Sequence, residues 1–215
     1  MNTTLAIPIL PAFLPFEQPG THKAAYGGRA SGKSQWAAAR CVMLGTMRPR
    51  RILCCREIQH TLRDSSKQLI WDKIKELGLD DFYTSTEQEI RGKNGTVFWF
   101  AGLRTHSTGS AAENLKSKEG VDLVWVEEAQ MVSQTSIDLL IPTIRREGAE
   151  FLWTWNPRFA KDPVDKMFRG GNAPPSAIVL KVNYTENLLL PSIIDENIDW
   201  LAADGRPLGR PQHHG

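Results

Sequence analysis

The sequence predicts an α/β fold, a mainly parallel central sheet with helices on both faces, and three observations carry that prediction. Short apolar runs read as buried strands: Arg51-Ile52-Leu53-Cys54-Cys55, Val121 to Val126, Phe151-Leu152-Trp153-Thr154-Trp155 and Ala177 to Val182. Helix-spaced segments separate them, and alternation of strand and helix is the pattern of a parallel sheet. Finally, a glycine-rich loop directly follows a short first strand, Ala24-Ala25-Tyr26.

Composition sets the bounds. The 215 residues suffice for one domain with a sizeable core, or for one domain with an appended segment. With 41% hydrophobic and 23% charged residues the chain has the make-up of a soluble globular protein. A formal charge of +2 is too small to attract nucleic acid by itself, so any DNA contact must come from a local patch. Cys41, Cys54 and Cys55 have no C-x-x-C spacing and sit in apolar runs, as buried thiols of a reducing compartment do. No run reaches the roughly 18 apolar residues of a membrane span, and the proline-studded start lacks the features of a secretory signal. The expectation is an intracellular protein.

In chain order, residues 1–20 read as an extended arm laid on the domain, in which Phe13 and Phe16 either stack on a purine or pin the arm to the core. A helix beginning at Gln35-Trp36-Ala37-Ala38-Ala39-Arg40 runs to near Gly45. From Leu62 to Leu77 the apolar positions Leu62, Leu69, Ile70, Ile74 and Leu77 keep helical spacing, and Gly78 stops the helix. Short strands flank Lys93-Asn94-Gly95, a hairpin signal. Residues 102–120 form a long polar loop. A helix is expected from Ser133 to Arg146, with Pro142 kinking or interrupting it. The expected divisions are an arm at 1–20, the main domain at 21–190, a partial lid or linker at 191–203 and a disordered tail at 204–215.

The loop carries the chemistry. Gly27-Gly28-Arg29-Ala30-Ser31-Gly32-Lys33-Ser34 fits G-x-x-x-x-G-K-[ST] at every fixed position. Its glycines let successive N–H groups converge on phosphates, Lys33 reaches the β and γ phosphates, and Ser34 ligates Mg²⁺. Arg29 inside the loop either points away or neutralises charge on the γ-phosphoryl group in cis. Hydrolysis needs an acid as well, and the apolar strand ending in Glu127-Glu128 supplies one beside the loop. Glu127 is assigned to the Mg²⁺ shell through water, and Glu128 to orienting and deprotonating the attacking water. Thr154 and Asn156 close the next strand, where a polar side chain can sense the γ-phosphate and couple hydrolysis to movement. Together these residues predict a P-loop NTPase of the ASCE type that binds a nucleoside triphosphate with Mg²⁺.

A wider set of blocks supports a family resemblance. Tyr26 to Ser34, Cys55-Arg56-Glu57-Ile58-Gln59, Leu115-Lys116-Ser117-Lys118-Glu119-Gly120, Val124 to Ala129, Ile141-Pro142-Thr143-Ile144-Arg145, Trp155-Asn156-Pro157-Arg158 and Val182 to Asn187 occur in one order. The chain closely resembles the large terminase subunit of tailed phages and prophages over residues 10–200. The resemblance implies an ATPase that drives double-stranded DNA into a procapsid, in the host cytoplasm, with Arg29 as the in-loop arginine, Glu127 on the metal side, Glu128 as catalytic acid and Thr154-Trp155-Asn156 as coupling motif. It also implies a monomer in solution that forms a ring on the capsid, with a portal protein and a small terminase subunit as partners. Arg56 and Lys116 fall in these blocks without a role of their own.

Two departures stand out. Family members usually carry glycine where Ala30 stands, and complete large subunits continue into a nuclease domain whose carboxylate cluster is not seen after Asn187. The expectation is a motor domain without nuclease activity. The alternative is a prophage remnant that binds ATP as an assembly module without turnover. A P-loop kinase would lack the apolar strand with paired acids, and no N-K-x-D is present to read guanine.

Overall fold

In the computed structural model, residues 10–58, 62–104 and 120–187 are described. The strands are β1 (His22–Tyr26), β2 (Arg51–Arg56), β3 (Tyr83–Ser85), β4 (Glu89–Gly92), β5 (Val97–Gly102), β6 (Leu123–Glu127), β7 (Glu150–Trp155) and β8 (Ala177–Lys181). They form one sheet in the order β3-β4-β5-β2-β6-β7-β1-β8. Every pairing from β5 to β8 is parallel; the β3–β4 and β4–β5 pairings are antiparallel. The antiparallel β4–β5 pair is the hairpin that Asn94-Gly95 marks, with Gly95 at φ 93°.

Apolar runs without alternation are what a sheet covered on both faces requires. Ile52 and Cys54 of β2 point into one core with Trp36 of α1 (Lys33–Met47) and Ile70 and Ile74 of α2 (Leu62–Glu76). Leu53 and Cys55 point the other way, toward Ile137 and Leu140 of α3 (Gln134–Thr143) and Val164 and Phe168 of α4 (Pro163–Arg169). The indole N–H groups of the three fully buried tryptophans find acceptors: Trp125 on Thr154, Trp153 on His22 and Trp155 on Asp165, at 3.0, 3.1 and 3.0 Å. Trp153 and Trp155 are sheet core.

Some local expectations change. The described part of the arm is a 3-10 helix, Pro11–Glu17, rather than extended chain. Prolines fix φ near helical values, and the 3-10 repeat brings Phe13 and Phe16 onto one side. Both are fully buried and stack on Trp36 at 4.8 and 4.7 Å, so they pin the arm to α1. α3 stops at Thr143, short of Arg146, one residue after Pro142, whose ring crowds the Asp138 carbonyl and whose missing N–H leaves that carbonyl without its helix bond. Ser133 caps its start by accepting from the Ser136 N–H. Residues 105–119, including Lys116, and the segments 191–203 and 204–215 lie outside the described residues. Among the described residues no helix is long and apolar enough to cross a membrane.

Several charges at the amino ends of the strands pair with one another. Lys23 lies 2.8 Å from Glu150, Arg40 contacts both Glu150 and Glu17, and Arg146 lies 3.0 Å from Asp122. His22 stacks on Phe151, accepts from Trp153 and is held neutral, since burial lowers its pKa to about 4.

Candidate nucleotide-binding and hydrolysis site

The phosphate loop links β1 to α1, placing its N–H groups at a helix N-terminus. Gly27 is obligatory on space alone, since a Cβ there would lie 1.9 Å from the Val182 carbonyl oxygen. Ala30 takes a left-handed conformation, φ 61°, as does Gly32 at φ 79°. For an alanine that conformation costs about 1 kcal/mol, and it explains why a glycine suits the position better. Lys33 is buried, and its ammonium donates to the carbonyls of Gly27 and Gly28 and to the Ser31 hydroxyl, at 3.2, 2.6 and 2.7 Å. Burial lowers its pKa to about 8. No carboxylate appears among these partners, so its charge is available to an anion in the loop.

The two acids at the end of β6 have different surroundings. Glu127 is buried, and its Oε2 accepts from Arg56 Nε and Nη2 at 3.0 and 2.8 Å and from the Ser66 hydroxyl. Glu128 is half-exposed and left-handed, at φ 50°. A bulky residue holds that conformation only where its surroundings impose it. Arg56 Nη1 lies 3.4 Å from Glu128 Oε2, so one guanidinium touches both acids.

Strand order completes the site. β7 lies between the loop strand β1 and the acid strand β6, with Thr154 paired to both Ala25 and Glu127. The Thr154 hydroxyl accepts from Trp125, and the Asn156 N–H donates to Gln130 Oε1 at 3.3 Å. The Asn156 Oδ1 is buried without a hydrogen-bond partner among the described residues.

A cleft of about 240 Å³ joins these parts, lined by residues 29–35 of the loop and α1 together with Glu128, Gln130 and residues 154–156. Arg29, Lys33, Ser34, Glu128, Thr154 and Asn156 therefore converge on one space, while Glu127 does not line it. The left-handed turns at Ala30 and Gly32 and the Lys33 ammonium suit phosphates, and Ser34 lines the same cleft. Sequence reasoning assigned no role to Arg56 and passed over Ser66, Gln130 and Asn187, whose Nδ2 donates to the Ala30 carbonyl at 2.8 Å. Arg56 and Asn187 stood in the blocks shared with the terminases, which was their only signal.

Comparison with known proteins agrees with this geometry. The model of the family described as phage terminase large subunit matches residues 20–203. The PBSX phage terminase large subunit of Bacillus subtilis (strain 168) is 30% identical over 146 residues, 66% of this chain and 32% of that protein. The structure of a large terminase from a thermophilic bacteriophage in complex with ADP superposes with a TM-score of 0.69 at 14% identity, covering 88% of this chain and 48% of that one. The large terminase ATPase domain of Thermus phage P74-26 gives 0.64 at 15% identity over 92% of this chain and 87% of that domain. The chain thus spans about a third of the curated relative and about half of the thermophilic phage protein. A family match across most of the chain and a P-loop ASCE fold with β7 inserted between loop and acid strands lead to one statement: the chain belongs to the phage terminase large subunit family.

Proposed function

We propose that the chain is an ATP-hydrolysing motor domain that couples ATP hydrolysis to the movement of double-stranded DNA into a procapsid. The observation that carries this reading is the convergence of Lys33, Ser34 and Glu128 on one cleft. Lys33 exchanges the loop carbonyls for the β and γ phosphates of ATP. Ser34 would hold Mg²⁺, with Glu127 reaching it only through water, and the ion would supply charge neutralisation at the phosphates when bound. Because Glu127 is engaged by Arg56 and Ser66 and does not line the cleft, Ser34 would be the more accessible ligand of the ion. Glu128 accepts the proton of the attacking water, and Arg29 neutralises charge that develops on the transferred group. Thr154 and Asn156 lie between loop and acids, where loss of the γ-phosphate is felt by β7. The ADP complex of the thermophilic phage terminase supports nucleotide binding.

Duplex DNA contacts are made to phosphates without sequence preference. The working form is a ring on the capsid, with a portal protein and a small terminase subunit, in the host cytoplasm. ATP turnover measured with and without duplex DNA across a salt titration tests this reading. DNA is expected to stimulate turnover at low salt, with the stimulation fading steeply as salt rises. Turnover indifferent to DNA at every salt concentration contradicts translocation.

A second reading, a nucleotide-binding assembly module without turnover, is favoured by one observation. Glu128 Oε2 rests 3.4 Å from Arg56, a partner that competes with a water molecule for the carboxylate.

A further inference from the structure

We infer that Asn187 is a positioning residue that clamps the phosphate loop from the segment following β8, setting nucleotide affinity without touching the nucleotide. Its Nδ2 donates to the Ala30 carbonyl at 2.8 Å across 157 positions of sequence. Ala30 is the loop residue whose left-handed backbone an L side chain resists, at φ 61°. A hydrogen bond to its own carbonyl holds the peptide where the alanine alone would not leave it. The Asn187 carboxamide also packs on the next bend, 3.5 Å from where a Cβ of Gly32 would stand.

The rest of the segment grips the same loop. The Val182 N–H donates to the Tyr26 carbonyl at 2.8 Å, and the Val182 oxygen fills the space beside Gly27. The loop is therefore braced at its first, fourth and sixth residues by residues 182–187. Asn187 is delivered by a rigid turn. The Asn183 N–H donates to Glu186 Oε2 at 2.7 Å, the Asn183 side chain accepts from the Glu186 N–H, and the Asn187 N–H donates to the Tyr184 carbonyl at 2.9 Å. Any rearrangement of the loop around phosphate must move Asn187 or break its bond. This gives a mechanical route out of the site separate from Thr154 and Asn156.

The clamp rests on the nucleotide-binding reading of the loop, and a double-mutant cycle separates the two. ADP affinity is measured by calorimetry on the full 215-residue chain for wild type, Asn187→Leu, Ala30→Gly and the double variant, with thermal melts as a folding check. Asn187→Leu is expected to weaken ADP binding about fivefold, and less than about twofold when Ala30→Gly is present, because glycine takes the left-handed conformation unaided. A general packing defect would not be rescued in this way. Asn187→Ser, a smaller change without the reaching amide, gives the same cycle should the leucine variant fail to fold. Equal losses in both backgrounds, or no loss in either, overturn the clamp alone; a wild type that does not bind ADP overturns the nucleotide reading and the clamp with it.

Discussion

Lys23 and Lys33 are both buried, one inside β1 near its amino end and the other in the loop that follows its carboxyl end, yet their partners differ in kind. Lys23 faces a carboxylate, Glu150 at 2.8 Å; Lys33 faces two carbonyls and a hydroxyl. A buried ammonium matched by a carboxylate is settled, and it contributes to holding β1 against β7. An ammonium held only by neutral oxygens retains an unmatched charge, and burial lowers its pKa to about 8. The same contrast extends along the sheet. Asp122 and Arg146 pair at the amino ends, whereas the carboxyl ends hold the left-handed residues Ala30 and Glu128 and the Asn156 Oδ1, which has no partner among the described residues. The two left-handed non-glycine residues among those described both lie at the carboxyl ends, where a ligand belongs, whereas unpaired buried polar atoms occur at both ends, Arg40 Nε and Arg50 Nε among them.

Three variants or conditions can break that contrast, in decreasing order of effect. Glu150→Gln leaves Lys23 without its carboxylate and Arg40 with Glu17 alone, and is expected to cost about 3 kcal/mol of stability in urea unfolding, with ATP turnover retained below the melting point. A loss of turnover out of proportion to unfolding would mean that the amino ends also serve the site. His22 comes second. Its pKa is near 6.5 unfolded and about 4 folded, so its contribution is fully present above pH 6.5 and declines as pH falls toward 4, when the unfolded chain takes up a proton that the native one refuses. The expected loss across that window is about 2 kcal/mol, read from unfolding curves against pH, and His22→Asn should flatten it. Ala30→Gly is the smallest change. Relief of the left-handed strain, offset by the freedom glycine gains when unfolded, gives a net change within about 1 kcal/mol. A loss well beyond that would show that the Ala30 methyl group packs in a way that the backbone does not reveal.

Gly27 to Ser34 and Glu127-Glu128 were legible because the chemistry demands particular residues at fixed spacing within one strand–loop–helix or one strand end. The main strands were legible because a sheet buried on both faces writes itself as apolar runs. β3, of three residues, and α4, of seven, are too short to show a period. What the sequence hid was adjacency. Arg56 meets Glu127 because β2 and β6 are neighbours, with Cys55 beside Val126, and no pattern within either strand announces that pairing. Ser66 reaches the same carboxylate from α2, and Asn187 reaches Ala30 from the far end of the domain. The arm failed for a different reason, since prolines suit extended chain and 3-10 helix alike, and only the stacking of Phe13 and Phe16 on Trp36 decides between them.

The central claim is that the carboxyl end of the sheet hydrolyses ATP rather than merely binding it, and Glu128 is where the two differ. The most direct measurement compares steady-state ATP turnover of the wild type and Glu128→Gln at saturating ATP and Mg²⁺. A fall of at least about 100-fold is expected in the variant, with ADP still bound, because the amide cannot accept the proton of the attacking water. A wild-type rate no higher than that of Glu128→Gln would contradict it and leave the binding module.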